Sequence, residues 1–216
     1  GLGAKGTRFT LHIGDWKQRL TLAVPGTHNV HNAAAAAAIC TAAGVDAESI
    51  VKGLTIHQNV DKRMQFMNLP GGLRVLNDSY NANPSSMAAA LKTVSSFGTD
   101  CRKIATLGDM LELGENAAAA HYEIGRLAAE LGYDMLAVTG AFSREVAGGA
   151  REGGMTKEQV VVLVDTVAIA DWLYHLLISG RLSEGDWLLV KGSRAMRMEN
   201  ILVELQNRFD PAVREV

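Results

Sequence analysis

The sequence predicts an α/β fold in two parts, and three observations lead to that prediction. From about residue 69 onward, short β-rich runs alternate with stretches of helical periodicity. Strands that alternate with helices of this length imply right-handed crossovers and a mostly parallel sheet with helices on both faces, a Rossmann-like arrangement. The first 56 residues instead combine a hairpin pattern with helices. With 48% hydrophobic and 20% charged residues, the chain can bury a sizeable core.

The first part begins with a predicted β-hairpin. Residues 7–24 alternate loosely between apolar and polar side chains around a Gly-Asp turn dipeptide. The pattern becomes helical at His28, continues through a block of alanines, and has Gly44 in position to end the helix. A second short helix follows, with Asp46 as its N-cap.

The second part is predicted to contain five strands and five helices. Before it, residues 57–68 lose the apolar period and are predicted to form a connector. We place the first domain at 1–62, a linker at 63–68 and the second domain at 69–216. The predicted strands are Leu73–Asn77, Lys103–Leu107, Met135–Thr139, Val160–Val164 and Trp187–Val190. The predicted helices are Ser85–Phe97, Glu115–Leu131, Ser143–Glu152, Val167–Ile178 and Ala195–Asn207.

Composition and charge narrow the possible functions. The formal charge is −2, with acids and bases interspersed, which argues against a general nucleic-acid binder. Two cysteines provide no disulfide framework, which suits a reducing compartment. The most apolar stretch, 33–43, is too short to span a bilayer, and no signal peptide opens the chain. We therefore expect a soluble, cytoplasmic protein that binds neither nucleic acid nor membrane.

The polar segment after the first strand of the second part is a candidate ligand site. It reads NDSYNANP and carries more hydrogen-bonding side chains than a turn requires. Asp78 could accept from a ribose hydroxyl or an ammonium group, while Asn81 and Asn83 could each donate and accept. The N-terminus of the following helix, capped by Ser85 or Ser86, favours an anion. A turn network bonded only to itself is the alternative interpretation.

Two further groups of residues could bind ligands. Asn29 and Asn32 share a helix face and could contact a polar ring edge such as that of adenine, although one of them could simply cap the helix. His28 and His31 have the same spacing, but no third ligand is near, so we predict no metal site. Arg63, in the connector, could clamp a phosphate bidentately or remain a solvated charge.

Several common catalytic motifs are absent from the sequence. It contains no G-x-x-x-x-G-K-[ST] phosphate loop and no G-x-G-x-x-G after the first strand of the α/β part. It also contains no G-x-S-x-G motif. A nicotinamide-dependent dehydrogenase and a serine hydrolase are therefore disfavoured.

Five strings together resemble the Mur ligases. They are VPGTHNVHNAAAAAAI, KRMQ, VLNDSYNANPSSMAAAL, LGDMLELGENAAAAH and LLVKGSRAMRMENI. Within the family, YNANPSSM and GDMLELG resemble the members that add D-alanyl-D-alanine to UDP-MurNAc-tripeptide. The resemblance implies a UDP-sugar-binding domain, a central ATPase domain and a C-terminal Rossmann-like domain. Residues 1–62 would then be the end of the central domain, and 69–216 the whole C-terminal domain.

The resemblance also implies a reaction and its cofactors. ATP would phosphorylate the carboxylate of the UDP-linked peptide, and the amine of D-Ala-D-Ala would attack the acyl phosphate to form an amide. The phosphate loop and the Mg²⁺ ligands are expected upstream of Gly1, so we expect the chain to be inactive alone. The partners would be these small molecules only, and the full-length enzyme would be a monomer.

Site residues are carried over one by one from the resemblance. Asn29 and Asn32 match the paired asparagines on the nucleotide side. Arg63 matches the connector arginine near the phosphates. Asp78 matches the aspartate that contacts ATP when the domains close. These two residues are therefore the expected catalytic residues. The residues expected near D-Ala-D-Ala are Tyr80, Asn81, Asn83, Asp109, Lys191 and Ser193. For Asp109, a simple strand-end turn is the alternative.

Two other functions stay open at this point. The chain could belong to a different ATP-dependent amide ligase of the same superfamily, such as a folylpolyglutamate or cyanophycin synthetase. It could also be a non-catalytic α/β module whose polar loop captures a small metabolite. The string YNANPSSM weighs against the first alternative, and the hairpin and helices of residues 1–56 weigh against the second.

Overall fold

The structure is a computed structural model that describes residues 6–24, 26–56 and 62–209. The chain forms two compact units, divided between residues 60 and 61. Residues 57–61 of the predicted connector lie outside the described part. Within the described ranges, no helix is both long enough and apolar enough to cross a membrane.

The first unit is a hairpin packed on two helices. Strands β1 (Thr7–Ile13) and β2 (Trp16–Leu22) pair antiparallel, as predicted. Helices α1 (Thr27–Ala42) and α2 (Ala47–Ile56) follow. Asp46, just before α2, caps that helix: its carboxylate accepts a hydrogen bond from the Ser49 N–H at 2.8 Å. One apolar cluster joins all four elements; its buried members are Leu11, Leu20, Leu22, Val24, Ala33, Ala37 and Ile50.

The second unit is a six-stranded sheet with the order β3-β4-β8-β5-β6-β7. All neighbouring strands are parallel except β3 and β4, which confirms the predicted mostly parallel sheet. The strands are β3 (Gln65–Asn68), β4 (Arg74–Asp78), β5 (Lys103–Leu107), β6 (Met135–Val138), β7 (Val160–Val162) and β8 (Trp187–Lys191). The helices are α3 (Pro84–Ser95), α4 (Ala117–Glu130), α5 (Ser143–Glu152), α6 (Thr166–Ile178) and α7 (Asn200–Phe209).

Helices cover the sheet because strand side chains alternate between its faces. Val75, Ile104 and Leu188 pack into one cluster with buried residues of α6 and α7. Their strand neighbours, such as Leu76 and Leu189, are also fully buried and point to the opposite face. Helices α4 and α5 approach each other closely through Gly125 and Gly149. A Cβ at either position would lie 1.9 Å from a backbone carbonyl oxygen of the other helix.

The first difference from the sequence prediction is strand β3. Residues 63–68 were predicted to be a linker, but Gln65–Asn68 pairs antiparallel with β4 at the sheet edge. The linker prediction is therefore wrong for these four residues. A run of four is too short to show a clear alternation, and its stability comes from distant packing. The Phe66 ring lies 5.8 Å from that of Phe97 and 5.7 Å from that of Trp187.

The second difference is the start of the last helix. The predicted start at Ala195 is wrong, because Arg194–Met196 forms a single 3₁₀ turn and α7 begins at Asn200. Arg197 between them has left-handed φ and ψ of 47° and 44°. A left-handed residue cannot continue a right-handed helix, so the chain turns before α7.

Candidate functional site

A buried ion pair joins the carboxyl ends of two central strands. Asp78 ends β4 and is directly opposite Lys191, which ends β8. One carboxylate oxygen of Asp78 accepts from the Met64 N–H at 3.0 Å, and the other lies 2.5 Å from Lys191 Nζ. The Asp78 side chain is 13% exposed and the Lys191 side chain 1%. The predicted site aspartate is therefore held in a fixed orientation with only a small part of its surface open to solvent.

Lys191 uses its ammonium group entirely within the protein. It donates to the Asp78 carboxylate, to the Asp78 carbonyl at 3.3 Å and to the Asn81 carbonyl at 2.9 Å. An ammonium has three N–H donors, so none is left for a ligand. Burial lowers the pKa of Lys191; the Asp78 carboxylate opposes this shift and the charge of Arg63 adds to it. Lys191 thus ties the loop that follows β4 to the end of β8.

The loop between β4 and α3 is partly bonded to itself. The Ser79 hydroxyl donates to the Asn77 side-chain oxygen at 2.7 Å. Asn83 is the N-cap of α3: its side-chain oxygen accepts from the Ser86 N–H at 2.8 Å, and its own N–H donates to the Ser86 hydroxyl at 3.0 Å. The prediction of Ser85 or Ser86 as the cap is therefore wrong, although Ser86 completes a capping box. The Asn81 side-chain oxygen accepts from the Ala82 N–H at 2.8 Å.

Several polar side chains at this loop are exposed, the cap residue Asn83 among them. Tyr80 is 41% exposed, and Arg63 and Asn81 are also exposed. The Arg63 guanidinium carbon lies 4.1 Å from the centroid of the Tyr80 ring, a cation–π geometry. The Tyr80 N–H donates to the Lys62 carbonyl at 3.0 Å, which fixes this arrangement. Among the described residues, Arg63 has no acidic partner, so its guanidinium edge can bind an anion.

Asp109 and Ser193 link loops. Asp109, at the carboxyl end of β5, is buried and accepts from the N–H groups of Ala141 and Phe142 at 2.7 and 3.0 Å, just before α5. Ser193 is also buried; its hydroxyl accepts from the Leu111 N–H at 2.8 Å and donates to the Ala82 carbonyl at 3.4 Å. The Asp109 side chain therefore connects the loops after β5 and β6, and the Ser193 side chain connects the loop after β8 to those after β4 and β5.

Two polar residues at this edge were not predicted from the sequence. His121 is fully buried and stacks on Phe142 at 4.6 Å; its Nε2 accepts from the Met110 N–H at 2.8 Å, and its Nδ1 donates to the Ala117 carbonyl at 2.7 Å. A histidine at the end of an alanine run is the sequence signal for such a site. Glu199 is the other such residue, and its carboxylate binds both Lys62 and Arg194.

Backbone strain is concentrated in the same loops. Among the described residues, four that are not glycine have positive φ: Lys62 (61°), Met64 (46°), Glu112 (65°) and Arg197 (47°). Met64 donates its N–H to Asp78 and Lys62 lies two residues before it, while the others follow β5 and β8. A left-handed conformation costs a residue with a side chain about 1 kcal/mol or more, and such residues cluster at functional sites. This cluster supports a functional role for the carboxyl edge.

In the first unit, α1 carries the two predicted asparagines. Asn29 and Asn32 lie three residues apart near the start of α1, and Asn32 is exposed. The N-cap of α1 is Gly26, without a side-chain hydrogen bond, so neither asparagine caps this helix. Of the predicted histidine pair, His31 is exposed, and the side chain of His28 lies outside the described part. The described residues contain no group of three or more His, Cys, Asp or Glu residues placed to hold a metal ion.

The sequence of the second unit matches a known protein family. The family described as "Mur ligase, glutamate ligase domain" matches residues 62–194. The chain belongs to the Mur ligase family. The match covers β3 to β8 and ends at Arg194, within the loop that follows β8.

Relatives within the Mur ligase family extend the match to the first unit. UDP-N-acetylmuramoyl-tripeptide–D-alanyl-D-alanine ligase from Mycobacterium tuberculosis is 36% identical over 207 residues, covering 87% of this chain and 39% of the relative. The Haemophilus influenzae enzyme of the same name is 31% identical, covering 95% and 43%. The chain thus spans about two-fifths of the length of these curated relatives.

Solved structures of Mur ligases have the same fold. A crystal structure of MurF from Acinetobacter baumannii superposes with a TM-score of 0.82 at 30% identity, covering 95% of this chain and 43% of that one. Folylpolyglutamate synthase from Thermotoga maritima gives a TM-score of 0.56 at 15% identity, which shows a shared fold alone.

Proposed function

We propose that the chain is part of an ATP-dependent ligase that adds D-alanyl-D-alanine to UDP-MurNAc-tripeptide through an acyl phosphate, a step of peptidoglycan precursor synthesis. The observation that carries this proposal is the exposed group of Arg63, Tyr80 and Asn81 above the buried Asp78–Lys191 pair. It lies at the carboxyl edge of a parallel sheet, where ligands of such folds bind. The relatives named above are ligases of this specificity.

The nucleotide side of the site is assigned to four residues. Arg63 suits a phosphate, because its guanidinium is exposed and the Tyr80 ring keeps it in place. Asp78 suits a ribose hydroxyl, because a carboxylate has about four acceptor positions and the Met64 N–H and Lys191 ammonium occupy two of them. Asn29 and Asn32, in the first unit, are proposed to contact the base through their amide groups.

The residues expected near D-Ala-D-Ala fall into two groups, those that contact it and those that position the loops. Tyr80 and Asn81 are exposed and are proposed to contact D-Ala-D-Ala directly. The other acceptor residues are proposed to position the loops, since their polar atoms bond within the protein; these are Asn83, Asp109, Lys191 and Ser193. Fixed loops would hold the amine in near-attack geometry against the acyl phosphate, and such orientation can lower a bimolecular barrier by about 7–11 kcal/mol.

The proposal also covers the cofactors, the location and the cellular role of the enzyme. ATP supplies the phosphoryl group that activates the carboxylate, and Mg²⁺ would accompany it, with no ligand assigned among the described residues. We propose a cytoplasmic location and a monomeric enzyme that acts on small molecules only. Its contribution to cell shape and cell division would follow from its role in cell-wall biogenesis.

The test is a chimeric enzyme. This chain would replace the matching 42% of the Escherichia coli relative, and ligation would be assayed with ATP, magnesium, UDP-MurNAc-tripeptide and D-Ala-D-Ala. We expect phosphate release that depends on the dipeptide. Arg63→Ala or Asp78→Ala should each lower kcat/KM by about 100-fold or more, as expected for lost transition-state contacts. Arg151→Ala, an exposed arginine at the end of α5, is the matched control.

Two outcomes of this assay would contradict the proposal. A folded chimera that joins glutamate in preference to D-Ala-D-Ala would favour a folylpolyglutamate-type ligase. A chimera that retains full activity with both Arg63→Ala and Asp78→Ala would show that the carboxyl edge of β4 is not the reaction site.

A further inference from the structure

Within the segment Lys191–Arg194, one polar side chain is available to a ligand. Lys191 and Ser193 are buried and bonded to the protein, as described above. The Arg194 side chain, in contrast, is 51% exposed. It follows Ser193 directly, and the Ser193 hydroxyl contacts the Ala82 carbonyl, so Arg194 lies close to the loop after β4.

Glu199 holds Arg194 together with a second cation. One carboxylate oxygen of Glu199 lies 2.6 Å from Arg194 Nη1 and 3.1 Å from Lys62 Nζ. Because both cations bind one oxygen, they lie within about 6 Å of each other. The other Glu199 oxygen is buried and has no hydrogen-bond partner among the described residues. Two positive charges thus share one negative charge, and the cluster has a surplus of positive charge.

This cluster belongs to the same edge as the exposed residues Tyr80 and Asn81. The Lys62 carbonyl accepts from the Tyr80 N–H, while the Lys62 ammonium binds Glu199. A continuous set of contacts therefore leads from Tyr80 through Lys62 and Glu199 to Arg194. A surplus cation beside a polar, partly exposed loop suits a small anion, and a planar guanidinium suits a carboxylate.

We propose that Arg194 binds the C-terminal carboxylate of the incoming dipeptide. This inference rests on the proposed function, in which the amine of the dipeptide reacts and its carboxylate stays free. Glu199 contacts Nη1 and orients the guanidinium, which leaves the Nη2 edge to bind the substrate. Lys62 adds positive potential without direct contact. Lys191 cannot serve this role, because all three of its donors are used.

The test uses substrate and protein changes together. The 216-residue chain would be titrated, by NMR, with D-Ala-D-Ala, with its C-terminal amide and with L-Ala-L-Ala. We expect the free acid to bind about tenfold more tightly than the amide, as for a hydrogen-bonded charge pair at a partly exposed site. Arg194→Met should weaken binding of the acid by about the same factor and leave the amide unaffected. Arg194→Lys should restore part of the discrimination.

The controls separate this inference from the proposed function. Arg144→Met, an exposed arginine at the start of α5, should leave all affinities unchanged. If the wild-type chain binds neither the acid nor the amide at millimolar concentration, the acceptor site of the proposed function is overturned. If it binds acid and amide equally, or if Arg194→Met retains the preference for the acid, only the role of Arg194 is overturned. Amide dispersion in the same NMR spectra shows that each variant is folded.

Discussion

The buried pair between Asp78 and Lys191 yields the sharpest prediction about stability. Replacing Lys191 by Met keeps a similar length but removes the ammonium, which leaves the Asp78 carboxylate without its cation. The Asp78 and Asn81 carbonyls each lose a donor as well. Breaking a buried pair by removing one partner costs about 3–5 kcal/mol. We expect a loss of that size, a large part of the roughly 5–15 kcal/mol that stabilises a typical domain.

A double-mutant cycle isolates the charge pair from the other contacts. Asp78→Asn retains an oxygen that can accept from the Met64 N–H but leaves the Lys191 ammonium buried without a counter-charge. The double variant Asp78→Asn/Lys191→Met buries neither charge. It should therefore be more stable than the sum of the single losses predicts, with a coupling of about 2 kcal/mol or more.

Native-state hydrogen exchange of β4 and β8 amides measures these losses in unfolding free energy for the second unit directly. Exchange of these amides reports the unfolding free energy of the unit that contains them. Single losses below about 1 kcal/mol, or losses that simply add, would refute the conclusion that Asp78 and Lys191 form one buried, mutually dependent pair.

Three further predictions concern other parts of the second unit. Gly149→Ala should lower the free energy of unfolding in urea by about 1–3 kcal/mol, because its Cβ would lie 1.9 Å from the Tyr122 carbonyl oxygen. The control is Gly148→Ala, whose Cβ would lie 3.5 Å from the nearest carbon of the Tyr122 ring; it should stay within about 1 kcal/mol of wild type. Burial raises the pKa of Glu199, but hydrogen bonds from cations outweigh this effect, so the pKa lies below its usual 4.5. The contribution of Glu199 to the free energy of unfolding should therefore be complete above pH 4.5 and be lost as the pH falls through the lowered pKa. In urea titrations repeated at each pH, Glu199→Gln should not show this loss at acid pH. Tyr133→Phe should cost about 1 kcal/mol in the same assay, since the buried hydroxyl donates to a helix carbonyl at 2.9 Å.

Much of the fold could be predicted because its signals are local. The alternation of strands and helices, Gly44 after the first helix and the N-cap Asp46 each depend on residues within a few positions. The Asn83 cap was also readable, since an asparagine followed by proline and serine is a common helix start. Strand β3 could not be predicted from the sequence, because four residues at a sheet edge form a strand only through their pairing with β4.

The roles of the site residues were less predictable, since they depend on distant partners. The sequence indicates that Asp78 and Lys191 end strands, but not that these two residues, 113 positions apart, meet. Without that contact, Lys191 resembles a free substrate-binding cation. The same holds for Glu199, whose interest comes from Lys62, 137 positions away. Residue type singled out these loops, while contacts between distant residues determine which of their side chains are exposed.

The place of β8 has a consequence for biosynthesis. This strand is translated last of the six, yet it inserts between β4 and β5, which do not pair with each other. At roughly 5–20 residues per second, a ribosome needs on the order of 10 s to add the residues from β4 to β8. From the completion of β5 until β8 is made, the nascent chain holds two apolar strands that lack their shared partner. Newly made copies therefore expose unpaired strand edges until the final strand emerges, and we expect truncation before residue 187 to leave a product prone to aggregation.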